Sequence, residues 1–234
     1  MKYFLYLLLF FLAACSDVRE EESIKPDPPP PPPFWSDIQN FKKQDSISFP
    51  PKNAILFIGS SSFTNWKDVQ NYFPGYTIIN RGFGGSTLLD QLRYANDIIF
   101  PYQPKQIVIY CGENDLASSD SVTAEMVVDR FIQLFEVIRK KTEVPIAYIS
   151  MKPSPSRRHL FKKMNEANRE IMKFVMVQVG DQLLHPPMAF IDIHNKMLNA
   201  NGQPIPEIFL DDSLHMNAKG YAIWKKEIEP YLIK

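Results

Sequence analysis

The sequence has little cysteine and no excess of charge of either sign. Only two cysteines occur in 234 residues. If Cys15 is modified, as argued below, Cys111 stands alone, which excludes a disulfide framework and a cysteine metal site. Basic and acidic residues balance at 26 each, so no electrostatic argument favours nucleic acid as a partner. His159, His185 and His194 lack the spacing to carboxylates that a metal site needs, so we expect no metal and no other cofactor.

Long apolar runs are also missing. The run from Phe4 to Leu12 is shorter than the roughly 20 residues that a transmembrane helix needs. It follows Lys2 and ends in Leu12-Ala13-Ala14-Cys15, which resembles the lipobox of bacterial lipoproteins. We therefore predict a lipoprotein signal peptide over residues 1–14, a lipid on Cys15, and anchoring of the protein in the bacterial cell envelope, with the outer membrane favoured. Simple secretion after cleavage of an ordinary signal is the alternative.

The segment from residue 15 to residue 33 is acidic and then rich in proline. It contains Glu20 to Glu22 and six consecutive prolines from Pro28 to Pro33. Such a composition cannot bury enough apolar surface to fold, and a proline run favours an extended polyproline II spacer. This predicts a tether over residues 15–33 and one domain over residues 34–234, a size that suits a single hydrophobic core.

Short apolar runs recur through the predicted domain without polar alternation, which is typical of parallel strands covered on both faces. They span Ala54 to Ile58, Thr77 to Ile79, Ile107 to Tyr110, Ile146 to Ile149, and Ala189 to Ile193. Helical stripes separate several of them, from Val122 to Ile138 and from Phe161 to Val175. The alternation predicts an α/β fold, a three-layer α/β/α sandwich around a parallel sheet of about five strands. The stretch from Gly180 to Pro187 is predicted to be a loop.

Clusters of small and polar residues follow the first three predicted strands. They are Gly59-Ser60-Ser61-Ser62, Arg81 to Thr87, and Gly112-Glu113-Asn114-Asp115. The carboxyl edge of an open parallel sheet is where ligands bind, so three clusters on that edge argue for one shared site.

A further pair of residues near the C-terminus has the chemistry that a serine nucleophile requires. A serine hydroxyl needs a base, a group that orients the base, and donors for the oxyanion that forms. Asp212-Ser213-Leu214-His215 places a carboxylate three residues before an imidazole, so both side chains can project from one turn. Spacing alone allows Asp211 in the same role.

Taken together, these blocks resemble the four ordered motifs of the SGNH (GDSL-type) hydrolase superfamily, in the branch around platelet-activating-factor acetylhydrolase-like proteins and bacterial acetyl esterases. The resemblance implies a flavodoxin-like fold, Ser61 as nucleophile, and His215 as base with Asp212 behind it. It also implies an oxyanion hole made by the Ser61 backbone amide, Gly85 and Asn114. The sequence departs from the family at Ser60, where the first motif usually has aspartate.

Each motif alone has a simpler explanation. Gly-Ser-Ser-Ser is more often a flexible turn, Gly82 to Gly85 resembles a phosphate-binding loop, and Asn114 can cap a helix. Their joint occurrence in order favours an active site. The paired basic residues Arg157-Arg158 are predicted to be a solvated helix start.

The resemblance implies a serine esterase that acts on a small-molecule or carbohydrate ester. Short acyl groups, acetyl above all, are favoured because the loops between strands and helices are brief and no lid-like apolar insertion lies between Ser61 and His215. The lipid on Cys15 makes the membrane the other predicted partner. Two alternatives stay open. One is a lysophospholipase or thioesterase, and the other is a surface lipoprotein that binds carbohydrate on the same scaffold without turnover.

Overall fold

The computed structural model describes residues 29–180 and 188–234. Residues Pro32–Lys234 form one compact unit. The predicted signal peptide, Cys15 and most of the predicted tether lie outside the described residues. So does the loop predicted up to Pro187, except for Gly180, which is the last residue of a helix.

A parallel sheet of five strands forms the centre of the described fold. In chain order the strands are β1 (Ile55–Gly59), β2 (Ile78–Gly82), β3 (Gln106–Tyr110), β4 (Ile146–Ile149) and β5 (Met188–Ile191). Their order across the sheet is β2-β1-β3-β4-β5, and every neighbouring pair is parallel. The predicted α/β fold with a five-stranded parallel sheet is confirmed.

Helices cover both faces of this sheet. They are α1 (Trp35–Ile47), α2 (Ser61–Thr64), α3 (Val69–Tyr72), α4 (Leu88–Arg93), α5 (Ala95–Ile98), α6 (Glu113–Ser118), α7 (Ala124–Arg139), α8 (Phe161–Gly180) and α9 (Ala218–Ile228). Shorter 3₁₀ segments lie at Phe100–Tyr102, Pro155–Leu160, Asn195–Met197, Pro206–Ile208 and Glu229–Tyr231. The two apolar stripes found in the sequence correspond to α7 and α8.

Two apolar cores form because alternate residues of each strand point to opposite faces of the sheet. On one face Leu56 and Ile58 pack with the buried side chains of α4, α5, α7 and α8. On the other face Ile55 and Phe57 pack with α2, α3 and α9, including the fully buried Trp224. Strands buried on both faces therefore read as unbroken apolar runs, and the three-layer sandwich is confirmed.

Strand β2 and helix α1 are held by polar contacts that the apolar pattern does not reveal. The strand continues past Ile79 to Gly82 because the side chains of Asn80 and Arg81 find partners. Asn80 donates to the Phe63 carbonyl at 2.7 Å, and Arg81 forms an ion pair with Asp45 of α1.

In residues 29–180 and 188–234, no helix combines the length and the apolar character required to cross a bilayer.

Candidate active site

A sharp turn joins β1 to α2 and presents Ser61 as the first residue of α2. Gly59 adopts a φ of 143°, and a Cβ atom at this position would lie 1.9 Å from the Tyr110 carbonyl oxygen. Only glycine tolerates that approach. The Ser60 N–H then donates to the same carbonyl at 3.1 Å, so the main chain itself shapes the turn before Ser61.

The three serines of this turn differ in accessibility. Ser60 and Ser62 are 4% and 2% exposed, whereas Ser61 is partly exposed. In the described part of the chain the Ser61 hydroxyl makes no hydrogen bond, and neither does the Ser61 backbone N–H, as expected for the first position of a helix. Ser61 therefore offers an accessible hydroxyl beside an unpaired N–H.

The loop after β2 packs directly against this turn. The Phe83 N–H donates to the Gly59 carbonyl at 2.9 Å, and the Ser86 hydroxyl donates to it at 3.2 Å. Gly85 lies between them with a φ of 85°, a left-handed conformation that favours glycine. Its N–H has no partner among the described residues. The neighbouring Gly84 packs against Ser61, since a Cβ atom at Gly84 would lie 3.8 Å from Ser61 Cβ. The loop thus supplies a second N–H without a partner in the described chain, one residue from that contact.

Asn114, the second residue of α6, supplies a side-chain amide to the same edge of the sheet. Its Nδ2 donates to the Ser86 carbonyl at 3.0 Å, and its Oδ1 accepts a hydrogen bond from Arg157 Nη2 at 2.9 Å. An amide nitrogen carries two hydrogens, so one N–H of Asn114 is left for a further acceptor. The structure thus brings the predicted oxyanion donors to one sheet edge.

Asp212 and His215 form a close pair on the loop before α9. His215 Nδ1 lies 2.6 Å from Asp212 Oδ2, while Asp212 Oδ1 accepts the N–H groups of Leu214 and His215 at 2.9 and 2.8 Å. Ser213 has a φ of 56°, which tightens the turn between them. Partial burial of Asp212 acts to raise its pKa, but these hydrogen bonds outweigh that effect and lower the pKa of Asp212 to about 2. Asp212 is therefore ionised at neutral pH and accepts the Nδ1 proton of His215.

Hydrogen bonds connect this loop, and helix α9 that follows it, to the other segments at the carboxyl edge of the sheet. The Ser156 N–H donates to the Ser213 carbonyl at 3.1 Å, and the Tyr221 hydroxyl of α9 donates to the Ser62 carbonyl at 2.9 Å. Within the described residues, His215 Nε2 makes no hydrogen bond. The geometry leaves this nitrogen available to accept a proton. Asp211, the alternative carboxylate, is exposed and makes no side-chain hydrogen bond in that same part of the chain.

A buried network of charged side chains adjoins Asn114 through its neighbour Glu113 and through Arg157. Glu113 and Lys152 form an ion pair at 2.7 Å with side chains only 5% and 2% exposed, and Tyr110 donates to Glu113 Oε2 at 2.5 Å. Arg157 Nη1 donates to the Glu113 carbonyl at 2.9 Å. Burial opposes the ionisation of Glu113, but the charges of Lys152 and Arg157 hold its pKa below the ordinary value.

The prediction that Arg157 and Arg158 form a solvated helix start is wrong for Arg157. Arg158 is exposed, but the Arg157 side chain is only 17% exposed and contacts two residues of α6. Sequence reasoning missed it because its partners lie 43 and 44 positions away. A usable signal was Lys152, a charged residue shortly after a buried strand and at the same sheet edge as the polar clusters.

A model of the GDSL-like lipase/acylhydrolase family matches residues 45–223, which include all five residues predicted for the triad and the oxyanion hole. The chain belongs to this family. Membership assigns it to the acyl-ester hydrolases as a broad class. No curated protein matches the chain closely enough to refine that class.

Solved structures share the fold of this family member at low sequence identity. A GDSL-like lipase from Bacteroides thetaiotaomicron is 17% identical with a TM-score of 0.69, over 83% of this chain and 96% of that one. A Streptococcus pneumonia protein provisionally assigned as a platelet activating factor is 20% identical with a TM-score of 0.65, over 85% and 92%. A mutant acetyl xylan esterase from Geobacillus stearothermophilus is 13% identical with a TM-score of 0.59, over 79% and 98%. At such identities the likeness establishes the fold alone.

Two other residues considered in the sequence, Cys111 and His194, lie in buried surroundings. Cys111 is buried after β3, where burial raises the pKa of its thiol well above the ordinary value. His194 is buried in the loop after β5, where its Nδ1 lies 3.0 Å from the Met151 carbonyl oxygen. Across the described ranges no group of three or more metal-ligating side chains comes together.

Replacement of Asn114 by alanine is expected to lower kcat by about 10² to 10³ with a smaller change in KM, because a lost oxyanion donor acts on the transition state. Steady-state kinetics on a soluble acetyl ester measure both constants. A change confined to KM would instead assign Asn114 to substrate contact or to capping of α6.

Proposed function

We propose that this protein is a serine esterase that hydrolyses short-chain carboxylic esters, acetyl esters above all, through an acyl-enzyme on Ser61. The observation that carries the proposal is the His215 ring, whose Nδ1 lies 2.6 Å from Asp212 while its Nε2 has no hydrogen-bond partner among the described residues. Ser61 lies on the same sheet edge, and in the part of the chain that the structure describes its hydroxyl makes no hydrogen bond. Membership of the GDSL-like lipase/acylhydrolase family supports the same reaction class.

In the first half of the reaction, Ser61 Oγ attacks the carbonyl carbon of the ester while His215 Nε2 takes the hydroxyl proton. The carbonyl π electrons move onto the oxygen, which accepts hydrogen bonds from the Ser61 and Gly85 N–H groups and from Asn114 Nδ2. Asp212 stabilises the imidazolium. The bond to the alcohol oxygen then breaks, and His215 returns the proton to the leaving alcohol.

In the second half, water attacks the acyl carbon and gives its proton to His215. The oxyanion forms again in the same donor set, and collapse releases the carboxylic acid and restores the Ser61 hydroxyl. His215 takes a proton from Ser61 and gives it to the alcohol, then takes one from water and gives it back to Ser61, so the proton transfers balance over the cycle.

The short connections at the sheet edge support a preference for small acyl groups. β1 ends at Gly59 and α2 begins at Ser61, while β3 ends at Tyr110 and α6 begins at Glu113. Neither of these two loops is long enough to form an apolar lid over an acyl chain. A carbohydrate alcohol part is supported by the likeness to an acetyl xylan esterase and by the proposed position at the cell envelope.

Hydrolysis of a series of esters by the purified full-length protein tests the proposal. Acetyl esters should be hydrolysed fastest, with kcat/KM falling as the acyl chain lengthens. A maximum at long acyl chains would favour the lysophospholipase alternative. No hydrolysis of any ester, with no labelling by a fluorophosphonate probe, would favour a carbohydrate-binding protein.

We further propose that the protein is anchored in the bacterial cell envelope by a lipid on Cys15, which rests on the sequence of residues 2–15 alone. Cys15→Ser should move the protein from the membrane fraction to the soluble fraction, because no lipid can be attached. Its kcat/KM should match that of the wild type. Continued membrane association of the variant would indicate an uncleaved N-terminal helix.

A further inference from the structure

We propose that Arg157 is a positioning residue that fixes the side-chain amide of Asn114 in the orientation needed to donate to the oxyanion. The proposal rests on the proposed function, in which Asn114 is an oxyanion donor. It assigns a role in the reaction to a buried cluster of Tyr110, Glu113, Lys152 and Arg157 that the mechanism above does not use.

An asparagine amide has two ends of opposite character, so its orientation decides whether it can stabilise an anion. Asn114 Nδ2 donates to the Ser86 carbonyl at 3.0 Å, and Asn114 Oδ1 accepts from Arg157 at 2.9 Å. A rotation by 180° would bring Oδ1 against the Ser86 carbonyl and Nδ2 against the guanidinium. Both contacts would then be repulsive, so Ser86 and Arg157 select the same orientation.

The Ser86 contact alone is a weaker constraint than the pair. It joins two neutral groups, whereas the Arg157 contact is assisted by a full charge, and such hydrogen bonds are roughly twice as strong. Without the guanidinium, Asn114 Oδ1 would lose its partner in the described structure. The amide would then rotate more freely, and the donor would often point away from the oxyanion.

Arg157 is itself held in place by α6 and by the buried ion pair. Its Nη1 donates to the Glu113 carbonyl at 2.9 Å, and its Nε lies 3.5 Å from Glu113 Oε1. Glu113 is fixed in turn by Lys152 at 2.7 Å and by the Tyr110 hydroxyl at 2.5 Å. The guanidinium thus contacts Glu113 and Asn114 at the same time, and its position depends on β3 and on the chain after β4.

The fork shape of the guanidinium, and not only its charge, is required by this geometry. One nitrogen binds the Glu113 carbonyl while another binds Asn114 Oδ1. A lysine ammonium is a compact point charge and cannot reproduce two divergent contacts from a planar group. Arg157→Lys therefore separates positioning from electrostatics.

A double-mutant cycle on kcat and KM tests the proposal, with the wild type, Arg157→Ala, Asn114→Ala and the double variant assayed on one acetyl ester. Arg157→Ala should lower kcat by about tenfold or more, within the roughly 10² to 10³ that a complete oxyanion donor supplies, and leave KM nearly unchanged. In the Asn114→Ala background the same substitution should have almost no effect, because there is no amide left to orient.

Three further measurements make the test decisive. Arg157→Lys should fold like the wild type and lose nearly as much kcat as Arg157→Ala, which covers the case that the alanine variant is unstable. Arg158→Ala, the exposed neighbour, should match the wild type. Thermal unfolding of every variant separates loss of fold from loss of positioning.

Several outcomes would overturn the role of Arg157. Independent, multiplicative losses in the cycle would show that it acts without Asn114. Full activity in Arg157→Lys would show that charge alone matters, and a rise confined to KM would make it a substrate contact. Each of these leaves the esterase intact, whereas a wild-type protein that hydrolyses no ester would overturn the proposed function and this role with it.

Discussion

Ser61→Ala is expected to abolish ester hydrolysis while leaving the fold unchanged. Loss of the nucleophile in a serine protease lowers kcat by about 10⁶, because the remaining groups cannot form the acyl-enzyme. The Ser61 hydroxyl makes no hydrogen bond in the described structure, so its removal leaves no buried polar group unpaired. Alanine is also well tolerated in the first turn of a helix.

Two neighbouring serines provide matched controls for this substitution. Ser60→Ala and Ser62→Ala should keep hydrolysis within several-fold of the wild type, since both residues are buried. Assays with an acetyl ester should be combined with fluorophosphonate labelling, which reports the nucleophile directly. Full activity of Ser61→Ala, with loss in either control, would shift the nucleophile by one residue.

Asp212→Asn is expected to lower kcat by a factor approaching the 10⁴ seen when the orienting aspartate of a serine protease becomes asparagine. Asp212 Oδ1 accepts two backbone N–H groups, and an asparagine oxygen can keep those contacts. The Asn Nδ2 would then face His215 Nδ1, so two donors would oppose each other. The ring would then carry its proton on Nε2 instead of Nδ1. A protonated Nε2 cannot accept the proton of Ser61.

Asp211→Asn is the matched control, because Asp211 is the adjacent exposed carboxylate without a side-chain partner in the described chain. Its kcat should stay within several-fold of the wild type. The reverse ranking would assign the orienting role to Asp211. Little effect from either substitution would reduce the catalytic groups to Ser61 and His215, as in superfamily members that work with a Ser-His pair.

The acidity of Asp212 adds a test by pH. With a pKa of about 2, Asp212 stays ionised until the solution is strongly acidic. Because this pKa lies below the ordinary value of 3.8, its contribution to folding stability is present above about pH 4 and is lost as the pH falls through about 2. Any fall in kcat/KM between pH 7 and pH 4 must therefore come from another group.

The sheet was predictable from the sequence because its strands are buried on both faces and read as apolar runs. Strand β4 has the predicted bounds, and β1 differs by one residue at each end. Strand β2 was predicted too short because Asn80 and Arg81 are polar. Their partners, Phe63 and Asp45, lie 17 and 36 positions away, and no local pattern contains that information. Helix α1 was not predicted, since among its residues only Ile38 is buried.

The candidate site, like the sheet, could be predicted from the sequence only in part. Ser61, Gly85, Asn114, Asp212 and His215 were named from short motifs, since each motif is local in sequence and adjoins a strand or helix end. The residues that hold those groups in place were not named. Lys152 and Arg157 contact Glu113 across 39 and 44 positions, and basic residues beside Arg157 suggested a solvated surface.

The turn before Ser61 depends on main-chain atoms, which has a consequence for how such enzymes are recognised. Position 60, where the first motif of the family usually has aspartate, is fixed through its N–H to the Tyr110 carbonyl, and any residue except proline can make that bond. Gly59 has no such tolerance, because a Cβ atom there would collide with the same carbonyl. The string Gly-Asp-Ser does not occur in this chain. The chain is identified instead by a crowded glycine at the end of the first strand, two places before an accessible serine.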